Sequence, residues 1–524
     1  MSYLTQSLHR LVQRSPDALA CVDGDSRRSW RELMNDVARF AGALRASGVR
    51  EGDRVALLAR NGAHYLDYLF GTYWAGAVAN PVNTRWAPAE IAASLEDCQT
   101  RVLLVDCHFA PMVDAIRAAA PALTLVIQLG GGDRASGVED GAAWLARGEA
   151  ISDVRLGGQA LAAILYTGGT TGRSKGVMLS HANLLASATG YLTFPGARPG
   201  RSYLNVAPLF HIGAQSAVYT SMLAGTTHIF LPQFEPAPVL SMIERERATD
   251  VFLVPTMLRA LLTDPCFDPA RAASLERVVY GASPIDDALL EHAMRMLPQV
   301  GFVQAYGMTE VSPIAAMLGP DEHGAQARAA GLQGVAGRAT IAAEVRVVDH
   351  RDDELPPGEV GEIVVRGGGV MLGYWGMPEA TADALRGGWM HTGDLGRMDE
   401  AGYLTVVDRL KDMIITGGEN VYSAEVENAL ASHTAVHQVA VIGLPDQRWG
   451  ERVHAVAVLR AGASCDAETL RCHCRELIAG YKVPKSVSFV QALPLSPAGK
   501  VLKTALRAEL NQGGLPRIDQ GMWP

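Results

Sequence analysis

Residues 166–176 read Tyr-Thr-Gly-Gly-Thr-Thr-Gly-Arg-Ser-Lys-Gly. Glycines such as Gly168, Gly169 and Gly172 let a backbone approach phosphate closely, with successive amides turned towards oxygen. The hydroxyls of Thr167, Thr170 and Thr171 add donors, or hard oxygen ligands for magnesium. Lys175 adds a point charge. This composition suits a polyphosphate. The spacing is not that of a GxxxxGK[ST] loop, because two residues separate Gly172 from Lys175 and a glycine follows the lysine. No recognisable Walker B pattern accompanies it, which disfavours a kinase or ATPase that would release ADP.

The loop must be carried by elements around it. It follows the apolar run LAAIL and precedes VMLSHANLL, which starts as a strand and turns helical. Upstream, RVALLAR, AVANPVN and RVLLVD read as strands. HYLDYLFGTYWAG and PAEIAASLEDC, opened by Pro88, read as helices. That alternation implies α/β packing on a largely parallel sheet. From about Val345 to Val407 short strands between Gly/Pro turns imply a small β unit. After Lys411 helices (SAEVENALASH, DAETLRCHCRELIAG) alternate with strands (VHQVAVIGL, VHAVAVLRAG, SVSFVQAL), as in a separate α+β domain. The Gly/Asp-rich stretches GGGDRASGVEDG and GPDEHGAQARAAG are expected to be surface connections.

The bulk properties narrow the class. With 524 residues, 48% hydrophobic and 19% charged, the chain should hold several globular units. A net charge of −9 argues against nucleic-acid binding. Seven scattered cysteines do not form a disulfide framework, and Cys472-His473-Cys474 is too tightly spaced for a structural zinc site. The opening residues have no apolar core of signal-peptide length, the final GMWP is not a peroxisomal address, and no apolar stretch reaches the roughly 20 residues of a membrane span. A cytoplasmic protein without stable membrane insertion, monomeric or homodimeric, is expected.

Further segments follow in order: Tyr280-Gly281-Ala282-Ser283-Pro284, QAYGMTE at 304–310, WMHTGDLG at 389–396, DRLKD at 408–412 and LPLSPAGK ending at Lys500. Taken alone, YGMTE also fits a plain strand–turn–helix step. Together with the glycine/threonine loop, these segments resemble the adenylate-forming superfamily of acyl-CoA synthetases, aryl-CoA ligases, luciferases and peptide-synthetase adenylation domains. The resemblance runs from about residue 10 to 505 and is strongest to the acyl-CoA and aryl-CoA ligases. It implies a large α/β N-terminal domain of stacked α/β subdomains plus the small β unit, residues 1–408. A smaller, mobile α+β C-terminal domain, residues 409–524, would follow a hinge near 408–412.

The resemblance also implies roles. Tyr306 would stack on adenine, beside the turn Gly281, Ala282 and Ser283. Asp394 would accept from both ribose hydroxyls, as a two-oxygen carboxylate can, with Arg409 in support. Thr309 would lie near the α-phosphate, and Glu310, with Thr167, would hold magnesium. Lys500 would be the catalytic cation between the attacking carboxylate and the α-phosphorus, which are both anionic. Lys411 would be the pivot about which the C-terminal domain turns, withdrawing Lys500 and bringing up Thr416-Gly417-Gly418-Glu419-Asn420 for thioester formation.

The implied acceptor is coenzyme A. Trp449 matches a position that stacks the CoA adenine in some aryl-CoA ligases. Tyr481, Lys482 and Lys485 match a stretch that contacts the CoA nucleotide, although Val483 replaces an arginine of some relatives. In Pro208–Gly213, PLFHIG, His211 follows Phe210 where amino-acid-activating relatives carry an aspartate. By resemblance His211 gates the acid. Ile212, Gln215, Gly307, Met308, Ser312, Pro313 and Ile314 would wall a mostly apolar pocket. The expected reaction is adenylation of a hydrophobic acid, fatty or aromatic, by ATP with magnesium, then transfer of the acyl group to CoA. The alternative is an acyl-adenylating enzyme that uses a carrier-protein thiol or another acceptor.

Overall fold

The strand Arg54–Leu58 has side chains in two cores: Val55 and Leu57 in one, Ala56 and Leu58 in another. Alternate residues point to opposite faces, so a strand apolar throughout belongs inside a sheet covered on both sides. The computed structural model describes residues 2–167, 174–193, 200–283, 285–324, 327, 329–332, 334–417, 419–446, 448–495 and 501–511.

Among the described residues, two large sheets dominate, one of eight strands and one of nine. The helices Trp30–Ala46, His64–Trp74, His181–Leu192 and Ile212–Ala224 contribute to one core shared by both sheets. A second core lies between the nine-stranded sheet and the helices Pro236–Glu246, Pro255–Thr263 and Asp287–Met296. The helices Pro88–Asp97 and Val113–Ala119 cover the outer face of the eight-stranded sheet. Pro88 occupies the first helical turn, where its missing N–H costs no hydrogen bond.

Strands Ala343–Val348, Gly361–Gly367, Met390–Met398 and Leu404–Arg409 form an antiparallel four-stranded sheet, the β unit expected from the sequence. Ile414–Thr416 belongs instead to a five-stranded sheet with Glu419–Val421, Val436–Asp446, Gly450–Leu459 and Ser486–Phe489. The helices Ser423–Ala431 and Ala467–Leu477 contribute to the core on one face of this sheet. The fold is thus a large α/β N-terminal domain followed by a smaller α+β C-terminal one. No helix among the described residues is long and apolar enough to cross a membrane.

One expected surface connection is not wholly on the surface. In GPDEHG, His323 is 5% exposed; one ring nitrogen lies 2.9 Å from the Tyr280 hydroxyl and the other 2.7 Å from the Gly319 carbonyl. A polar stretch reads as loop, but its one imidazole packs under the end of the strand Arg277–Gly281. The Cys472–Cys474 run lies on a helix with Cys474 buried, and the described residues contain no cluster of three or more metal-ligating side chains.

Candidate active site

Strands Asp250–Leu253, Arg277–Gly281 and Gly301–Gly307 run parallel, so their carboxyl ends open on one edge. Ligands of open α/β sheets gather at that edge. There Gly281 packs so closely that a Cβ would stand 2.2 Å from the Ala305 carbonyl oxygen. Ala282 follows with φ of +64°, turning the chain across the edge. At Gly307 a Cβ would lie 1.8 Å from the Pro313 carbonyl oxygen, so only glycine lets the chain reverse into Ile314–Leu318 there.

The short 3-10 turn Thr309–Val311 carries Glu310 inward to 6% exposure. Its Oε1 accepts the Tyr374 hydroxyl at 2.9 Å, and the Lys175 ammonium stands 4.6 Å from the centre of the Tyr374 ring. Burial raises the Glu310 pKa; backbone and Tyr374 hydrogen bonds and the Lys175 charge pull it down.

Asp394 and Arg409 sit directly opposite each other on neighbouring antiparallel strands, so their side chains share a face. Arg409 Nε lies 3.3 Å from Asp394 Oδ1, and the Tyr306 hydroxyl donates to Asp394 Oδ2 at 2.9 Å. Burial raises the Tyr306 phenol pKa well above its ordinary value. Tyr306, Asp394 and Arg409 therefore converge from the nine-stranded and four-stranded sheets.

Tyr306, Glu310, Asp394 and Arg409 border one cleft of about 1540 Å³, whose walls also include Thr167, Gly281, Ala282, Ser283, Gly307, Met308, Thr309 and Lys411. Thr167 pairs with Lys175 across the antiparallel strands Leu161–Thr167 and Lys175–Ser180, which closes the base of the glycine/threonine loop. Gly168, Gly169, Thr170, Thr171, Gly172, Gly418 and Lys500 lie outside the described residues. Lys411 is exposed by surface area, but partial desolvation where it borders the cleft, with the nearby Arg409 charge, lowers its pKa.

The expected acid pocket is partly revised. His211, Ile212, Gly307, Met308, Pro313 and Ile314 line the cleft, with the His211 and Phe210 rings 4.4 Å apart. Gln215 and Ser312 do not. Gln215 is fully buried: its amide donates to the Leu209 carbonyl at 2.9 Å and its oxygen accepts the Tyr219 hydroxyl at 2.9 Å. The helix Ile212–Ala224 presents Ile212, Gly213, Ser216, Ala217 and Thr220 to the cleft, and a residue three places from Ile212 but off that stripe turns into the core. Ser312 donates to the Gly369 carbonyl at 2.7 Å and is 1% exposed. Phe252, Val279 and Tyr191 also line the cleft. They come from apolar strand and helix positions that a sequence pattern reads as core.

The C-terminal domain closes the other side with Glu427, Asn428, His437, Val439 and Lys503. The described residues expected to meet CoA lie off this cleft. Gly417 has φ of +62°, and its N–H donates to the Trp449 carbonyl at 2.8 Å. A Cβ there would stand 2.9 Å from the Trp449 indole, which is 39% exposed. Glu419, Tyr481 and Lys485 are exposed. Lys482 is held by both Glu425 carboxylate oxygens, at 2.7 and 2.8 Å, so in this arrangement it is an ion-pair partner rather than a free phosphate ligand. Val483, where some relatives carry arginine, is buried in the domain core.

This fold and cleft have known counterparts. Residues 8–375 match the family described as AMP-binding enzyme, and residues 425–500 match the AMP-binding enzyme C-terminal domain. A feruloyl-CoA synthase of Amycolatopsis is 41% identical over 95% of this chain and 97% of its own. The long-chain-fatty-acid–CoA ligase FadD13 of Mycobacterium tuberculosis is 36% identical over 93% of each chain. ATP-bound MatB from Rhodopseudomonas palustris superposes with a TM-score of 0.88 at 32% identity, over 97% of this chain and 99% of that one. The chain belongs to the AMP-binding enzyme family, among the AMP-forming acyl-CoA and aryl-CoA ligases of the adenylate-forming superfamily.

Proposed function

We propose that this protein is an ATP-dependent ligase that joins a hydrophobic carboxylic acid, fatty or aromatic, to coenzyme A. The observation that carries the reading is the convergence of Tyr306, Glu310, Asp394 and Arg409 on one cleft bordered by both domains. The similarity to a feruloyl-CoA synthase and to a long-chain-fatty-acid–CoA ligase supports it.

In this reading adenine lies along the Gly281–Ser283 turn against the Tyr306 ring, and the ribose hydroxyls donate to Asp394. Tyr306 and Arg409 hold that carboxylate in place. The acid enters past His211 into the apolar part of the cleft. Its carboxylate attacks the α-phosphorus, pyrophosphate leaves, and an acyl-adenylate forms. Lys500 would then offset negative charge between the two anions. The CoA sulfur next attacks the acyl carbonyl and AMP leaves.

A magnesium ion fits the donors present. Glu310 is a buried carboxylate that, among the described residues, takes one side-chain hydroxyl donor, Thr167 lines the same cleft, and triphosphate and water would complete the oxygen shell. When bound, the ion neutralises phosphate charge.

The proposed domain boundary, residues 1–408 and 409–524, falls where the chain leaves the four-stranded sheet for the five-stranded one. Lys411 is the proposed pivot. Rotation there would bring the Gly417, Glu419 and Trp449 face to the cleft for the second half-reaction, with Tyr481 and Lys485 meeting the CoA nucleotide and Lys482 joining them only on release from Glu425.

The test is to incubate the protein with ATP, magnesium, CoA and acids from C2 to C16, benzoates and cinnamates, following AMP, pyrophosphate and acyl-CoA. Acid-dependent AMP with an equal amount of thioester is expected. Release of ADP would overturn the reading. AMP with no thioester would move the acyl group to a carrier-protein thiol or another acceptor.

A further inference from the structure

The Tyr374 hydroxyl donates to Glu310 Oε1 at 2.9 Å, and the Lys175 ammonium lies over the face of the same ring, 4.6 Å from its centre. One side chain thus meets an anion at its tip and a cation on its face. Among the described residues no carboxylate pairs with Lys175, although its charge is close enough to act on Glu310.

Opposite charges beside a partly desolvated space attract strongly. Left to themselves, the buried Glu310 carboxylate and the Lys175 ammonium would close into an ion pair, and neither could then take a ligand without breaking it. The other cation acting on Glu310 is Arg409, which Asp394 already holds at 3.3 Å. Tyr374 offers each charge a separate partner: a hydroxyl for the carboxylate, and the negative face of its ring for the ammonium.

Tyr374 is itself fixed from several sides, and it is buried. The short strand Gly373–Tyr374 pairs antiparallel with the strand that Lys175 opens, Gly373 opposite Met178 and Tyr374 opposite Val177. The Tyr374 N–H donates to Thr381 Oγ1 at 2.9 Å, and the Trp375 N–H donates to the Gly176 carbonyl at 2.7 Å. The Met371 N–H donates to the Glu310 carbonyl at 2.9 Å. Residues 371–375 therefore lace the strand of Lys175 to the turn of Glu310, with the Tyr374 side chain touching both charges.

Resting on the ligase reading above, we propose that Tyr374 is a positioning residue. It keeps Lys175 and Glu310 from pairing with each other, so that before ATP arrives the ammonium stays available to a phosphate and the carboxylate to a cation.

The experiment measures ATP binding by titration calorimetry in EDTA, with no metal present. Tyr374→Phe removes the hydroxyl and keeps the ring. The freed carboxylate then takes the ammonium, and ATP should bind about threefold to tenfold more weakly. In Glu310→Gln no carboxylate remains to capture the ammonium, so adding Tyr374→Phe there should change the affinity by less than about twofold. A residue that only packs would cost the same in both backgrounds. Melting temperatures check that each variant is folded. A second measurement leaves Tyr374 untouched: without nucleotide, modification of Lys175 by an amine reagent, read by peptide mass spectrometry, should run at the same rate within about twofold in the wild type and in Glu310→Gln. An affinity unchanged in Tyr374→Phe, an equal loss in both backgrounds, or several-fold faster modification of Lys175 in Glu310→Gln overturns the inference and leaves the ligase reading standing. Failure of the wild type to bind ATP, with or without magnesium, sinks that reading first and this inference with it.

Discussion

The Ser423 hydroxyl donates to Asp408 Oδ1 at 3.0 Å, and the Ser423 backbone N–H donates to the other oxygen of the same carboxylate. Asp408 is the penultimate residue of the last strand of the four-stranded sheet, and Ser423 opens the first helix of the C-terminal domain. One carboxylate thus caps a helix and pins the two domains together, and both partners are buried. Arg507 holds the linker itself, through Asp412 at 2.9 Å.

Asp408→Ala should loosen this seam. Leaving the Ser423 donors unpaired costs about 1–3 kcal/mol, so the linker should open roughly 10- to 100-fold more often. Limited trypsin digestion after Arg409 and Lys411 should accelerate accordingly. Cleavage at the wild-type rate would show that the pin does not restrain the linker.

Tyr306→Phe should raise the KM for ATP about threefold to tenfold with little change in kcat. It removes one hydrogen bond to Asp394 while keeping the ring, and such a bond is worth about 0.5–1.5 kcal/mol. An unchanged KM for ATP would mean that Asp394 needs no help from Tyr306 to hold the ribose.

Lys500→Ala should separate the half-reactions. Acid-dependent pyrophosphate exchange should fall by about 10²–10³ or more. Thioester formation from supplied acyl-adenylate and CoA should survive, because that step does not need the lysine. Equal loss of both steps would refute the division of labour proposed for the two poses.

Acid should destabilise the fold through buried imidazoles. Burial lowers His228 to about 3, His181 to about 4 and His454 to about 4. In the unfolded chain each titrates near 6.5, so the unfolded state binds more protons between these values. Stability therefore rises with pH through that window and is lost as pH falls below about 6.5, at about 1.4 kcal/mol per pH unit for each group. His228 is fully buried, and neither ring nitrogen has a hydrogen-bond partner among the described residues. His228→Leu should flatten the profile from pH 6 to 4 by about one proton and leave the protein at least as stable at pH 7. Urea melts across that range would check it, and an unchanged slope would contradict the assignment.

Much of the architecture is legible in the chain because it depends on short-range patterns. Continuous apolar runs such as RVALL and VAVIGL bury side chains on both faces of a covered sheet when they form strands. Pro88 and Ser180 mark helix starts through their own backbone and side-chain chemistry. The phosphate loop, YGMTE and TGD are contiguous, so their residue types and order point to nucleotide chemistry without a fold. What only the tertiary structure decided is which side chains share a space. Gln215 and Ile212 are three residues apart on one helix, yet one is spent on Leu209 and Tyr219 and the other faces the cleft. Lys482 reads as a free cation until Glu425, distant in sequence, takes both sides of its ammonium. Tyr191 reads as an ordinary core aromatic, and only the fold brings it, with Ile314 and Phe252, to the cleft wall. Local propensity is set by a residue and its neighbours, whereas burial and charge pairing are set by partners that only folding brings within reach.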